Sequence, residues 1–304
     1  MLGLARYALG CARSVVLWFA WRIRRLAAAA AAAATGRTWP VGRRIEGPLV
    51  TSLEELHTHC NHSTIDDDGN LTFSHANFSL ITKEYTVYCG RSLEKKLTLE
   101  IVNKSLELVA DQDVYPEAPS HISRATTIDG DCFVKGPALT FYEELGGSGK
   151  MAQLLLEEAE MLEQIKRNPH PNLVRYYGCQ VYRGRVVGLV LERYPCTLEE
   201  RMRKGGGDVN LEVGFDGLKS GVLHLHSIGL AHNDIKASNV MVGVDDRWIL
   251  VDMGSCRPFG DPLIMAGQPE WETSSQEHDE EALRGLGTWL TKGKANECWR
   301  GGEC

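Results

Sequence analysis

No run of about 18 apolar residues, the length needed to cross a bilayer, occurs in the 304-residue chain, so a membrane-spanning role is not expected. Its nine cysteines never fall in CxxC pairs, and their number is odd. That argues against a disulfide framework and for a reducing, cytoplasmic setting. Excess positive charge is missing as well. With 33 Lys and Arg against 40 Asp and Glu, the net charge is −7, which gives no reason to expect nucleic-acid binding. There is no internal repeat and no GxGxxG loop. What remains is an ordinary soluble composition, 43% hydrophobic and 24% charged, in a chain long enough for a substantial core.

Charge is spread unevenly. Residues 1–50 hold eight arginines and a single acid, Glu46, so the remainder carries a net −14. The acid-poor start, with Val15–Trp21 apolar and alanines at 27–34, reads as a low-complexity tail or a mitochondrial targeting segment. Arg22, Arg24 and Arg25 interrupt it as an anchor.

Most of the chemistry is concentrated in residues 232–254, HNDIKASNVMVGVDDRWILVDMG. Asp234, Lys236 and Asn239 fall within six residues, and Asp252 follows Asn239 by thirteen. Two short apolar runs, Val240–Val242 and Trp248–Val251, flank a polar turn, the pattern of a hairpin with one buried face. Such a hairpin returns the chain and brings Asp252 beside the Asp234–Asn239 loop. Two carboxylates, a carboxamide and an ammonium then converge, and Asn239 and Asp252 offer the hard oxygens that Mg²⁺ prefers.

This spacing resembles the protein kinase family, whose catalytic loop reads HRDxKxxN and whose metal-binding triplet reads DFG. The resemblance implies that Asp234 accepts the proton of the substrate hydroxyl and Lys236 neutralises the transferring phosphoryl group. It implies that Asn239 and Asp252 hold Mg²⁺, and that His232 and Asp279 support the loop. Upstream, residues 151–167 have helical apolar spacing and precede PHPNLVRYYG, similar to helix C and the strand after it. Glu158 then stands where the family pairs a glutamate with the ATP-anchoring lysine, and Lys135, twenty-three residues earlier, is the candidate lysine. Leu191, Glu192 and Met241 fall where the family contacts adenine. Leu211–Leu230 resembles helix E, Gln268-Pro269-Glu270 the end of an activation segment, and residues 279–290 the start of helix F.

The departures matter equally. Phe133 stands where the family has a small alanine over the adenine ring, so it should narrow the pocket. Residues 118–130 contain one glycine, too few for a loop whose backbone amides close over phosphates. Asn233 replaces the loop's usual arginine. Gly146–Lys150 imitates a P-loop, but Glu144 stands at its first glycine and Met151 at its Ser/Thr. A flexible connector is the expectation there.

The resulting expectation is an α+β, two-lobed kinase-like fold over residues 120–295, with a small β-rich lobe and a shortened, mainly helical one. Residues 1–50 form the tail or targeting segment, 51–119 an unassigned β-rich region and 296–304 a tail. The family's helices after helix F are expected to be absent. In residues 51–119, Thr72–Ile81 and Glu84–Cys89 read as strands, and Leu97–Leu108 as strand or helix. The crowded His57, His59, Cys60 and His62 lack zinc spacing and read as a solvated turn. Three functions fit: a Ser/Thr protein kinase using ATP and Mg²⁺ on a protein substrate, a pseudokinase scaffold, or a small-molecule phosphotransferase.

Overall fold

The computed structural model describes residues 49–65, 70–204, 210–263, 268 and 271–296. Residues 1–48 of the tail or targeting segment expected over 1–50, the Pro269-Glu270 match and residues 297–304 lie outside the described residues, whereas Val50 is part of a hydrophobic core. In chain order the main elements are β1 (Thr58–Ile65), β2 (Leu71–Ile81), β3 (Val87–Ser92), α1 (Leu99–Ser105), β4 (Glu107–Leu108) and β5 (Cys132–Lys135). They continue with α2 (Tyr142–Leu145), α3 (Lys150–Arg167), β6 (Tyr176–Tyr182), β7 (Arg185–Glu192), β8 (Cys196–Thr197) and α4 (Leu198–Arg203). Then come α5 (Leu211–Ser227), β9 (Leu230–Ala231), β10 (Val240–Val242), β11 (Trp248–Leu250), β12 (Arg257–Pro258) and α6 (Gln276–Asn296). Helices and antiparallel ladders are mixed, as the α+β expectation requires. No helix among the described residues is long and apolar enough to cross a membrane.

The chain divides into two compact units. Of the described residues, the first takes in those up to Ala118, Gly136–Leu156 and Val181–Val187; the second takes in Pro119–Lys135, Glu157–Gln180 and those from Gly188 onward. In the first, β1-β2-β3-β4 form an antiparallel sheet in sequence order. Ala76, Phe78 and Leu80 alternate along β2 and pack with Val50, Tyr88, Leu97, Val102 and Leu106 into its core. Gly90 of β3 lies under the Phe78 ring, where any Cβ would collide. The ambiguous stretch at 97–108 is mostly helix, because Thr98 caps it by accepting from Ile101 N–H.

Two local expectations are corrected here. His59, Cys60 and His62 belong to strand β1, not to a turn. Strand β3 begins only at Val87, because Tyr85 takes a positive φ of 59° in the preceding turn. The glycine connector behaves as expected: Gly147 and Gly149 adopt φ of +68° and +70°, and α3 starts at Lys150.

In the second unit, β5 pairs antiparallel to β7, with Lys135 opposite Leu189 and Phe133 opposite Leu191. The expected hairpin forms with Val240 opposite Leu250 and Val242 opposite Trp248. Its buried face carries Val240, Val242, Trp248 and Leu250, all at most 2% exposed. Asn172 anchors it: the Asn172 amide donates to Trp248 O at 2.8 Å, and Leu250 N–H donates to Asn172 O at 2.9 Å. α5, capped by Asn210, packs on β11.

Candidate active site

Every candidate residue lies in the second unit. α3 buries Leu155, Glu158, Ala159, Leu162 and Ile165 at helical spacing, which sets the Glu158 carboxylate among apolar groups, with Glu163 as a second buried carboxylate of the helix. Such a charge is costly unless paired. Strand β5 supplies the partner: Lys135 Nζ lies 2.7 and 2.9 Å from the two Glu158 oxygens and 2.7 Å from Asp252 Oδ1. One ammonium therefore joins a buried carboxylate, 7% exposed, to one that is 45% exposed. Burial acts against the Lys135 charge, but the two carboxylates win and hold it protonated beyond the usual lysine range. Burial likewise acts to raise Asp252, yet Lys135 overrides it and holds that carboxyl at about 2.

The hairpin β10–β11 delivers Asp252 to this point. Val251 N–H donates to Asn239 O at 3.0 Å, and Asp252 then turns with φ of 64°, accepting from Gly254 N–H at Oδ1. Both hydrogen bonds of the Asp252 carboxylate fall on Oδ1, so Oδ2 remains for a cation. Asn239 gives its side-chain NH₂ to Asp234, at 2.9 Å to O and 3.0 Å to Oδ2, which leaves the side-chain oxygen Oδ1 for a ligand. An amide oxygen and a carboxylate oxygen form a donor set that fits Mg²⁺. Lys236 Nζ sits 2.7 Å from Asp234 Oδ2.

Buried supports hold this loop. His232 Nε2 donates to Val251 O at 2.9 Å, so its Nδ1 is free to accept from Asp234 N–H. Asp279, fully buried at the start of α6, accepts from His232 N–H and Asn233 N–H at 2.8 Å each and meets His226 Nε2 at 3.0 Å. Leu191 is buried on β7, and the half-buried Glu192 accepts from Tyr194 O–H at 2.8 Å. Met241 is half-buried on β10. Phe133 is 47% exposed and shares the strand face of Lys135, so it is not a core residue.

Three supports escaped the sequence reading. Arg193 donates to Gly130 O at 2.9 Å and Cys132 O at 2.6 Å, fastening the chain after β7 to the turn before β5. Arg257 reaches Glu157 at 2.6 Å while its other nitrogen donates to Gly254 O and Cys256 O. Ser123 gives N–H and O–H to Glu163 at 2.7 and 2.9 Å, and Cys179 N–H donates to Ser123 O. The glycine-poor segment 118–130 is thus irregular and tied to α3 and β6. No local sequence pattern marks these pairs, whose members stand up to 100 residues apart.

Comparison with known proteins places this geometry in context. Residues 143–268 match the model of the protein kinase domain. The serine/threonine-protein kinase/endoribonuclease IRE1 of Hypocrea jecorina is 26% identical over 170 residues, 52% of this chain and 13% of that protein. The sensor for unfolded proteins in the ER, ire1, of Schizosaccharomyces pombe is 27% identical over 192 residues, 51% and 18% respectively. The probable serine/threonine-protein kinase mkcF of Dictyostelium discoideum is 32% identical over 140 residues, 44% and 20%. The matched stretch spans a fifth or less of the length of these relatives.

Proposed function

Because the chain carries a domain of the protein kinase superfamily, we propose that it transfers the γ-phosphoryl group of ATP to serine and threonine hydroxyls of a protein substrate. The observation that carries this reading is the Glu158–Lys135–Asp252 bridge beside the intact Asp234–Lys236–Asn239 cluster. A bound Mg²⁺, held by Asn239 and Asp252, would supply the neutralisation of triphosphate charge. Lys135 is pre-positioned by Glu158 to meet phosphate oxygens. Asp234 accepts the proton as the substrate oxygen bonds to the γ-phosphorus and the bond to the departing ADP oxygen breaks. Lys236, already on Asp234 Oδ2, offers positive charge where the phosphoryl group passes.

A second reading, a nucleotide-poor scaffold, is favoured by one feature: the Ser123 segment is fastened to Glu163 and has no glycine loop to close over phosphates. Phosphate transfer from radiolabelled ATP to a Ser/Thr peptide mixture separates the two. On the kinase reading, Asp234→Asn lowers transfer by ~10²–10⁴-fold with nucleotide affinity nearly unchanged, whereas Lys135→Met weakens both. Wild-type protein that binds ATP and transfers nothing supports the scaffold.

A further inference from the structure

One face of the first unit's sheet is polar, and it belongs to no part of the kinase-like site. Residues opposite one another on antiparallel strands point the same way. The register sets His62 against His75, Cys60 against Asn77, and Asn77 against Arg91. Helix α2 lays Glu143 over this face. The two imidazoles stack with centroids 4.5 Å apart and planes 4° apart. His75 Nε2 lies 2.7 Å from Glu143 Oε2, while Asn77 Nδ2 lies 2.6 Å from that same oxygen and 3.2 Å from His62 Nε2. The ligand-capable atoms of His62, His75 and Glu143 all fall within 4.8 Å of one another.

Two further observations separate a metal site from ordinary polar packing. Two of the three donors have a partner behind them: Ser74 Oγ lies 3.0 Å from His75 Nδ1, and Arg91 Nε lies 3.5 Å from Glu143 Oε1. Such partners aim ligating atoms inward. In addition, Asn77 Oδ1 is buried without a hydrogen-bond partner. A half-turn of that amide would bring Oδ1 to the point between His62 and Glu143, where a cation would be its partner. We propose that His62, His75 and Glu143, with Asn77 Oδ1 as fourth donor, form a Zn²⁺ site that staples the β1–β2 hairpin to α2.

The donor chemistry selects the ion. Two imidazoles and a carboxylate suit zinc, whereas Mg²⁺ and Ca²⁺ prefer all-oxygen shells. Bonds of about 2.0–2.2 Å in a tetrahedron put ligand atoms ~3.3 Å apart, so His75 and Glu143 need to open by roughly half an ångström, and one of the two stacked rings has to turn, because parallel imidazole planes do not both contain the ion. Burial holds His62 below the usual imidazole range and therefore neutral near pH 7, with a lone pair to give. Although burial opposes it, hydrogen bonds from Asn77 and His75 keep Glu143 below the usual carboxylate range. Cys60 takes no part, because its sulfur is not among the atoms that converge here.

The test uses the full chain, stripped by a chelator and titrated with Zn²⁺ against a chromogenic competitor. Wild type should bind one equivalent at this site and melt at a higher temperature with Zn²⁺. The double variant His62→Ala, Glu143→Gln should lose that equivalent or bind it ~100-fold or more weakly, and Asn77→Asp should bind more tightly than wild type. Equal stoichiometry and affinity in all three proteins would overturn the site. Should the double variant fail to fold, acylation of wild-type histidines by diethylpyrocarbonate decides. Zn²⁺ should protect His62 and His75 selectively, and unchanged modification of both sinks the proposal.

Discussion

Asn233 has no exposed surface and a φ of 60°. Its amide nitrogen meets Ala231 O, Ser255 O and Ser274 Oγ at 2.9–3.1 Å, and its oxygen meets Ser275 N–H and His278 Nδ1. An arginine, usual at this position in the resembling family, could not occupy that enclosure, so the substitution does more than delete a charge. It converts the residue before Asp234 into an anchor. Asn233→Ala would strand several buried partners and set in left-handed backbone a residue that tolerates it less well than asparagine, and it should cost ~2–4 kcal/mol. Denaturant unfolding checks this; a loss under ~1 kcal/mol would show the network to be dispensable. Asp252 yields a pH prediction. Burial would raise its carboxyl from 3.8, but Lys135 holds it at about 2, so its folded value lies below the unfolded one. The stabilisation is therefore complete above about pH 4 and is lost as pH falls towards 2. Acid-unfolding curves should be steeper over that interval for wild type than for Asp252→Asn.

Elements show where packing overrides propensity. Glycine inside a helix normally costs ~0.5–1 kcal/mol against alanine. Gly214 of α5 nevertheless lies directly on Trp248, and a Cβ there would collide with the indole. Gly214→Ala should therefore destabilise, by ~1–3 kcal/mol, and lower the melting temperature; a rise instead would mean that β11 yields easily. The same elements show what a sequence can disclose. Hairpin β10–β11 and helix α3 were legible because their periodicity is local and their motifs have fixed spacing. Strand β1 was not. The positions opposite the core residues Phe78 and Ala76 are His59 and Asn61, as polar as Thr58 and His62 on the other face, so no apolar alternation marks it. Its register exists only through β2. Arg193, Arg257 and Ser123 were equally silent, because each acts on a partner fixed by tertiary folding.

At the scale of the whole molecule, the two readings of function differ in what nucleotide does to stability. A ligand that binds only the folded state stabilises it by mass action, ~2.7 kcal/mol at a hundredfold excess over Kd, which moves the melting point by several degrees. If Asn239 and Asp252 hold a metal that bridges to the triphosphate, ATP raises the melting temperature with Mg²⁺ and not with EDTA. Removing the Asp252 carboxylate should remove the shift even with Mg²⁺ present. The Asp252→Asn control is needed because that variant also loses an ion pair to Lys135, so its ligand-free melting point falls first and only the difference upon adding nucleotide is diagnostic. A shift of equal size in EDTA would mean that Lys135 and its neighbours hold nucleotide without metal. Phosphoryl transfer would then lack its charge neutralisation, and binding alone would be the activity of this domain.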